Sequence, residues 1–458
     1  MTDARTSPHD SEPEPVHDTG NTPSPGTRTG TGTGTGTGHH GHSGSHRSRL
    51  GRAGRSAPLA GVRVLVSGAS VAGPATALWL DRYGAEVTVV EKAPALRTGG
   101  FAVDFRGSVH RKVLRAMGIW EEVHARQTAM GRQSVVDASG RVRVDLPAEF
   151  MSGDVEIFRG DLAQIMYERT RHRVRYVFGD SIAALREDEA GVDVTFDHAP
   201  SSRYDLVVGA DGLHSHTRGL VLGAEERFLR FGGYYVAGFD VPNHLGLDRS
   251  ARMYSEPGRT VLLSNYDGDP ERGGAALVFA SAPLSYDRHD VAAQKRVLLE
   301  RFAGMGWETP KVLSALESAG DLYFDALSQC HVDRLSQGRV VLVGDAGYGA
   351  TMGGMGTGTA LVCAYVLAGE LATAAGDHRS AFAAYEAAVT RFARGCQKSA
   401  GNAGPFFAPA TEARIRSRDR MYRLLSSRAV AGVFRYLTLR AAQNIRLKDY
   451  EGAGTLAP

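Results

Sequence analysis

The chain is short of cysteine, of tryptophan, of net charge and of long apolar runs, and each shortage excludes something. Its three cysteines, Cys330, Cys363 and Cys396, are odd in number and form no C-x-x-C pair. That pattern argues against a disulfide framework or a zinc site and for reduced thiols in a cytoplasmic protein. No apolar run reaches the ~18–20 residues that span a bilayer, and the first residues carry no short apolar core of a secretory signal. A net charge of +3 over 458 residues is too small to mark a nucleic-acid or anionic-membrane partner. Residues 1–58 lack apolar positions almost entirely and run into "TGTGTGTGHHGHSGSH". Such a segment cannot offset its conformational entropy by burial, so a disordered tail is expected there. His39, His40, His42 and His46 in it offer no more than a perch for a stray metal ion.

What is present is the composition expected of a soluble globular protein, 42% hydrophobic and 22% charged. Order is expected to begin at "VRVLVSGASVAGPATALWL", Val62 to Leu80. A β-branched run gives a buried strand, a glycine turn follows, and Pro74 suits the first turn of a helix. "EVTVVEK" is the second strand of this βαβ unit. "YDLVVGADG" and "GRVVLVGDAG" read as further buried strands, each ending in glycine and aspartate. Between them, at 226–324, alternating segments such as "GGYYVAGFDV" and "AALVFASA" predict an antiparallel sheet followed by two helices. The expected fold is α/β: a Rossmann-like nucleotide domain (59–225 with 325–400), an inserted antiparallel-sheet substrate domain (226–324) and a C-terminal helical segment (401–458).

The glycine turn nearly spells G-x-G-x-x-G. Gly68 permits the tight turn and Gly73 lets the helix approach the strand, but the middle position is Ser70. Serine is small and its hydroxyl can donate to phosphate, so the anion site at the helix start survives. Glu91 ends the second strand 23 residues after Gly68. There its carboxylate suits free ribose hydroxyls and repels a 2′-phosphate.

Three further stretches choose the nucleotide. They are Arg159 at a helix start in "FRGDLAQIM", "DGLHSHTR" from Asp211 to Arg218, and "GDAGYGATMGGMGTGTALVCAYVLAGEL" from Gly344. With them the chain, from about Val62 to residue 450, resembles the flavoprotein aromatic hydroxylases. These are single-component FAD monooxygenases of the p-hydroxybenzoate hydroxylase type, including tetracycline-inactivating and polyketide-tailoring members. The second stretch fits the family's D-G-x-x-S-x-x-R at Asp211, Gly212, Ser215 and Arg218. The resemblance implies FAD as cofactor and NADPH or NADH as co-substrate. It implies that a flavin hydroperoxide hydroxylates an aromatic or polycyclic, polyketide-like substrate. It assigns Asp345 to a ribityl hydroxyl, Arg159 to the flavin side, and Asp211 and Arg218 to FAD and nicotinamide use. The glycine turn Gly353, Gly354, Met355, Gly356 and Gly358 falls to the pyrimidine edge of the ring, at a helix start that favours negative charge. The segment from Arg97 to Gly107 falls beside the ring, with Gly99, Gly100 and Arg106 as candidate contacts.

One departure stands out: the family's prolines after the Gly-Asp element are missing from "AGYGATMGG". Tyr234, Tyr235, Phe239, Met253, Phe279 and Met355 are candidates for an apolar, water-excluding pocket. No catalytic base can be named. His214, His216 and His244 are weak candidates. The same fold would equally carry a Baeyer–Villiger or epoxidising oxygenase, an oxidase, or a non-catalytic flavin-binding partner subunit. Trp79, Trp120 and Trp307 are dispersed, which excludes the W-x-W-x-I-P run of flavin halogenases. Substrate identity and oligomeric state are open at this level.

Overall fold

The computed structural model describes residues 57–97, 99–146, 153–352, 356–401, 403–426 and 443–450. The expected tail at 1–58 lies almost wholly outside them. The first layer is a six-stranded sheet. Its order is Ser336–Gln337, Val340–Leu342, Leu206–Gly209, Arg63–Ser67, Glu86–Glu91 and Arg175–Phe178. All neighbours are parallel except the short edge strand Ser336–Gln337. Val64, Leu65 and Val66 are wholly buried, because helices cover one face of the central strand and a small three-stranded sheet covers the other. Helices Ala72–Arg82 and Gly356–Thr373 pack with Val64 and Val66. Strands Ile182–Glu187, Val192–Phe196 and Ser202–Tyr204 close on Leu65, Val90 and Val207. Burial on both faces is why these strands read as unbroken apolar runs.

The second layer is a seven-stranded sheet. Its order is Tyr323–Cys330, Leu229–Pro242, Arg272–Ala280, Arg259–Asn265, Ser250–Glu256, Gln133–Val136 and Val142–Leu146. Only the pairing of Ser250–Glu256 with Gln133–Val136 is parallel. The sheet is therefore wider than the stretch 226–324. It recruits the early hairpin 133–146 at one edge and the strand to Cys330 at the other. Pairing spares the backbone at those edges an unsatisfied row of donors and acceptors.

Helices Val291–Phe302 and Thr309–Ser318 cover one face, with Leu298, Phe302, Val312 and Leu316 against Tyr235, Phe239 and Phe279. The opposite face carries Val236, Val278 and Leu327 under Ala403 and Ala408. Helix Glu412–Leu425 lays Tyr422 on Val135, Val144 and Met253.

The helical expectation for the C-terminal segment holds at Ala403–Phe407 and Glu412–Leu425, and 427–442 lies outside the described residues. It fails at 443–450, which has no regular structure. There Lys448 Nζ and Tyr450 Oη both reach Glu370 Oε1 at 2.6 Å, and Tyr365 Oη donates to the Lys448 carbonyl at 2.9 Å. Glu370 is 4% exposed. A buried carboxylate without partners would cost several kcal/mol, so the chain stays extended where it can serve it. Among the described residues no helix is long and apolar enough to cross a membrane.

Candidate active site

Two glycine contacts draw the strand ends together. Gly68 has φ of 105°, and a methyl group on it would lie 2.5 Å from the Ala210 carbonyl oxygen. On Gly73 it would lie 1.8 Å from the Gly68 carbonyl oxygen. Helix Ala72–Arg82 starts with no side-chain cap, so its first amides are free to face an anion. Ser70 is exposed at the turn, and its side chain does not fill the cradle. Glu91 is locked beside it: Oε2 accepts from Ala69 N at 2.7 Å and Oε1 from Ala93 N at 2.9 Å. Each oxygen keeps a second lone pair for a ligand hydroxyl.

The turn after strand Val340–Leu342 meets the same helix start. Gly344 has φ of 68°, and a methyl group there would lie 2.7 Å from Ala72 Cβ. Gly344 N donates to Tyr348 Oη at 2.9 Å, and Arg218 Nη1 to the Ala346 carbonyl at 3.0 Å. Those bonds fix Asp345 between them. Protein surrounds its carboxyl closely enough for desolvation to raise its pKa, with Arg159 opposing. Yet its surface is open to solvent. Both are true of a side chain flanked closely by protein and open to solvent on one side.

Arg159 begins helix Arg159–Thr170 and rests on Gly100, where a methyl group would come within 2.8 Å of Nη2. Burial raises the Tyr323 phenol, with Asp325 and Asp345 adding to the rise and Arg159 opposing it. Arg159, Tyr323 and Asp345 therefore share one field. Gly356 completes the ring: a methyl group on it would stand 3.2 Å from Asp345 Oδ1. Gly353, Gly354 and Met355 lie outside the described residues. Glu91 and Asp345 are thus linked through the turn at Ala69–Ala72 and Gly344, and Arg159 bears on Asp345 through its charge. Bare glycines, open carboxylates and an uncapped helix start are what a dinucleotide with a long sugar–phosphate linker fits. Among the described residues no cluster of His, Cys, Asp or Glu could hold a metal ion.

In the D-G-x-x-S-x-x-R stretch, Asp211 and Arg218 are not a pair. Asp211 Oδ2 accepts from Thr217 N and Oγ1, both at 2.8 Å, and Oδ1 from Ser215 Oγ. Ser215 is the N-cap of helix His216–Leu222, its Oγ accepting from Arg218 N at 2.9 Å, and Asp211 holds that serine and the first helical turn in place. Arg218 is fully buried and holds the Leu213 carbonyl at 2.9 Å and Glu225 at 3.4 Å besides Ala346. It braces the Asp345 turn from below. His214 bridges Glu225 (3.1 Å) and Asp325 (3.2 Å). Burial pulls its pKa down, but hydrogen bonds to Asp325 and Glu225 outweigh that and raise it to about 9. It is a cationic clamp, not a base. His216 and His244 are exposed. His244 pairs with Glu308 at 2.9 Å. Arg106 is tied to Asp104.

The loop that lacks prolines is held another way. Met352 has φ of 64°, a conformation the proline ring forbids. Thr351 N donates to the Ser328 carbonyl at 3.0 Å, its Oγ1 donates to the Ala326 carbonyl at 3.2 Å, and Cys330 N donates to the Gly349 carbonyl at 2.8 Å. The loop is stitched to the edge strand of the second sheet.

Four of the six pocket candidates lie elsewhere. Tyr235, Phe239 and Phe279 point to the helix-covered back face, and Met253 packs on Tyr422. Met355 is outside the described residues. Tyr234 alone remains, partly buried with Phe101, Tyr323 and Met352 on the cleft-side face. Phe101 seats its ring on Gly238, where a methyl group would come within 2.5 Å, and meets Tyr323 edge-on at 5.3 Å. Phe101, Tyr323 and Met352 escaped sequence reasoning. The signal was available in Gly238, a bare position in mid-strand that marks a close approach.

Comparison with known proteins decides the family. A family model described as an FAD binding domain matches residues 61–236. The chain is 43% identical over 332 residues to an uncharacterised protein of Mycobacterium tuberculosis, covering 71% of this chain and 88% of that one. It is 37% identical over 342 residues to a flavin-dependent monooxygenase of Legionella longbeachae, covering 74% and 87%. The crystal structure of tetracycline destructase Tet(55) superposes with TM-score 0.72 at 35% identity, covering 84% of this chain and 98% of that one. The chain belongs to the FAD-dependent monooxygenase superfamily. This monooxygenase shares the p-hydroxybenzoate hydroxylase-like fold, without a particular tie to that subtype. It is an oxidoreductase with an FAD-binding domain, and the reading as a non-catalytic partner subunit falls away.

Proposed function

We propose that this monooxygenase takes electrons from NADPH or NADH and places one oxygen atom of dioxygen on an aromatic or polycyclic, polyketide-like molecule by hydroxylation. The observation that carries the reading is the wall of Phe101, Tyr234, Tyr323 and Met352 next to the cleft of Arg159 and Asp345. Flat aromatic faces of this kind favour a flat, apolar guest. The tetracycline destructases, which by name act on tetracycline, support a substrate of that class.

When bound, FAD supplies the redox and oxygen chemistry. The chain's own residues bind, orient and shield. The Ala72 helix start would take the pyrophosphate near Gly68, Ser70 and Gly73, and Glu91 would accept from ribose hydroxyls. Asp345 would accept from the ribityl chain, Arg159 would flank the ring, and the helix start at Gly356 would face its pyrimidine edge; Gly354 and Met355, proposed from the sequence for the same edge, lie outside the described residues. Asp211 acts at one remove, by holding Ser215, the cap of the helix that carries Arg218. The aromatic wall excludes water from the reacting side.

The test is purification of the full chain, its visible spectrum, and NADPH and NADH oxidation with and without a panel of phenols and fused-ring phenols. A flavin spectrum, substrate-dependent oxidation and a product heavier by one oxygen are expected. Reduction of dioxygen to peroxide alone across the panel would overturn hydroxylation of this substrate class.

A further inference from the structure

A cavity of about 450 Å³ opens where strand Ser336–Gln337, the end of strand Ile182–Glu187 and the start of helix His378–Ala400 meet. It stands at the other end of the parallel sheet from the candidate active site. Strand Val340–Leu342 leaves the cavity after Arg339 and ends at the turn of Gly344 and Asp345. Three guanidiniums line the cavity, those of Arg334, Arg339 and Arg379, and none has an ion-pair partner among the described residues. Arg334 Nη2 donates to Gln337 Oε1 at 2.7 Å. Arg339 donates to the carbonyls of Asp205, at 3.2 Å, and Glu189. The Arg379 guanidinium is exposed and donates to no described residue.

Carboxylates line the same cavity, but they are engaged elsewhere. Glu187 Oε2 accepts from Arg339 N at 3.0 Å. Glu386 Oε1 accepts from Leu335 N at 2.8 Å and Ser336 Oγ at 2.7 Å. Asp188 accepts from Ala190 N at 2.8 Å and pairs with Arg203, which is not part of the cavity wall. Glu189 has an exposed side chain and gives Arg339 only its backbone carbonyl. The acids are thus committed to backbone amides, a serine hydroxyl and Arg203, and the three guanidiniums keep donors for another anion.

His378 is the second, independent sign of a ligand. It lines the cavity and is 9% exposed. Its ring meets Phe382 edge-on at 5.8 Å and makes no hydrogen bond among the described residues. Burial lowers its pKa, Arg339 and Arg379 lower it further, and Asp377 and Glu187 oppose them. The ring is therefore neutral at pH 7 and has one N–H to give. Buried donors are normally satisfied. Asp377 already caps the helix, accepting from Arg379 N at 3.2 Å, so side chains rather than a bare helix start make this site.

We infer that this cavity binds a phosphate group, either the free ion or the monoester of a small organic molecule. A dianion answers three guanidiniums that no carboxylate satisfies, and the planar guanidinium fork matches phosphate oxygens. The His378 N–H supplies a further donor. A monocarboxylate brings one charge and two oxygens, and so meets fewer of these donors. The cavity is larger than a phosphate ion, and the organic part of an ester has room beside Phe382 and Ala383.

The experiment is isothermal titration calorimetry of the full-length protein with inorganic phosphate, glucose 6-phosphate, acetate and chloride at matched ionic strength. Saturable binding of phosphate, roughly ten-fold tighter than acetate, is expected. Tighter binding of glucose 6-phosphate than of inorganic phosphate assigns the ester as the ligand, and the reverse order assigns the free ion. Arg334→Gln combined with Arg379→Gln should weaken phosphate roughly ten-fold, the scale of one charge-assisted hydrogen bond. Both arginines are exposed, so melting temperature and flavin content should stay as in wild type. His378→Phe keeps a ring, loses the donor and should weaken phosphate several-fold; if it does not fold, the arginine pair decides. No saturable binding beyond chloride, or unchanged phosphate affinity in the folded double variant, overturns the site.

Discussion

The parallel sheet and the mixed sheet contribute to the candidate site in different ways. The parallel sheet delivers its groups at strand ends. There the backbone turns at Gly68 and Gly344, and Glu91 and Asp345 follow the strands whose burial fixes them. The mixed sheet delivers groups from mid-strand, where side-chain parity decides which face a residue joins. One step along the strand moves Tyr234, at the cleft, to Tyr235, at the helix-covered back. A site at strand ends is a matter of backbone space; a site in mid-strand is a matter of register.

The first half of that contrast is open to the largest effect. Gly73→Ala would place Cβ 1.8 Å from a backbone oxygen, a clash no rotamer relieves. We expect a loss of ~3 kcal/mol or more, seen as collapse of soluble yield and a much lower melting temperature. Gly99→Ala is the control: nothing lies within 4 Å of its Cβ position, and it should melt as wild type. An alanine at 73 that folds normally would mean the turn is looser than the strand-end argument requires.

This contrast also sets how much could be read in advance. The βαβ unit, and the positions of Glu91 and Asp345 at strand ends and of Arg159 at a helix start, were legible because tight turns demand glycine, and strands buried on both faces are apolar without a break. The proline-free loop was visible as a gap. Its consequence was not: the left-handed Met352 and the bonds from Thr351 to Ser328 and Ala326 depend on a strand some 25 residues away. The pocket was read wrongly because both faces of the mixed sheet are covered. Apolar residues occur at odd and even positions of Leu229–Pro242, so alternation could not say which row faces the cleft. The spacing of Asp211 and Arg218 in one motif does not reveal that the carboxylate Arg218 reaches is Glu225, on the 3₁₀ turn Glu225–Arg227.

The second half of the contrast predicts a division of labour between the rows. Phe239→Ala opens a hole among Tyr235, Phe279 and the covering helices and should cost ~3–5 kcal/mol in urea unfolding, with the bound-flavin spectrum unchanged. Tyr234→Ala removes a partly buried ring that rests on Gly404. It should cost ~1–2 kcal/mol while raising KM for the aromatic substrate several-fold. Equal stability losses, or a KM effect at 239 and none at 234, would reverse the assignment of faces.

The smallest expected effect lies at the seam between the sheets. His214 belongs to the loop after strand Leu206–Gly209, and Asp325 to strand Tyr323–Cys330 of the mixed sheet. The imidazole titrates near 6.5 when unfolded and near 9 when folded. Protonation therefore favours the folded state. The stabilisation is complete below pH 6.5, fades as pH rises from there through 9, and is absent above. The side chain is 29% exposed, so screening by solvent reduces the benefit to ~1–2 kcal/mol. Urea unfolding at pH 6 and pH 9.5 should show that loss in wild type. In His214→Gln the difference between the two pH values should shrink by the same amount, because glutamine still bridges the two carboxylates but carries no proton to lose. An undiminished alkaline loss in the variant would place the pH-sensitive contact elsewhere, and the seam would then be held by packing alone.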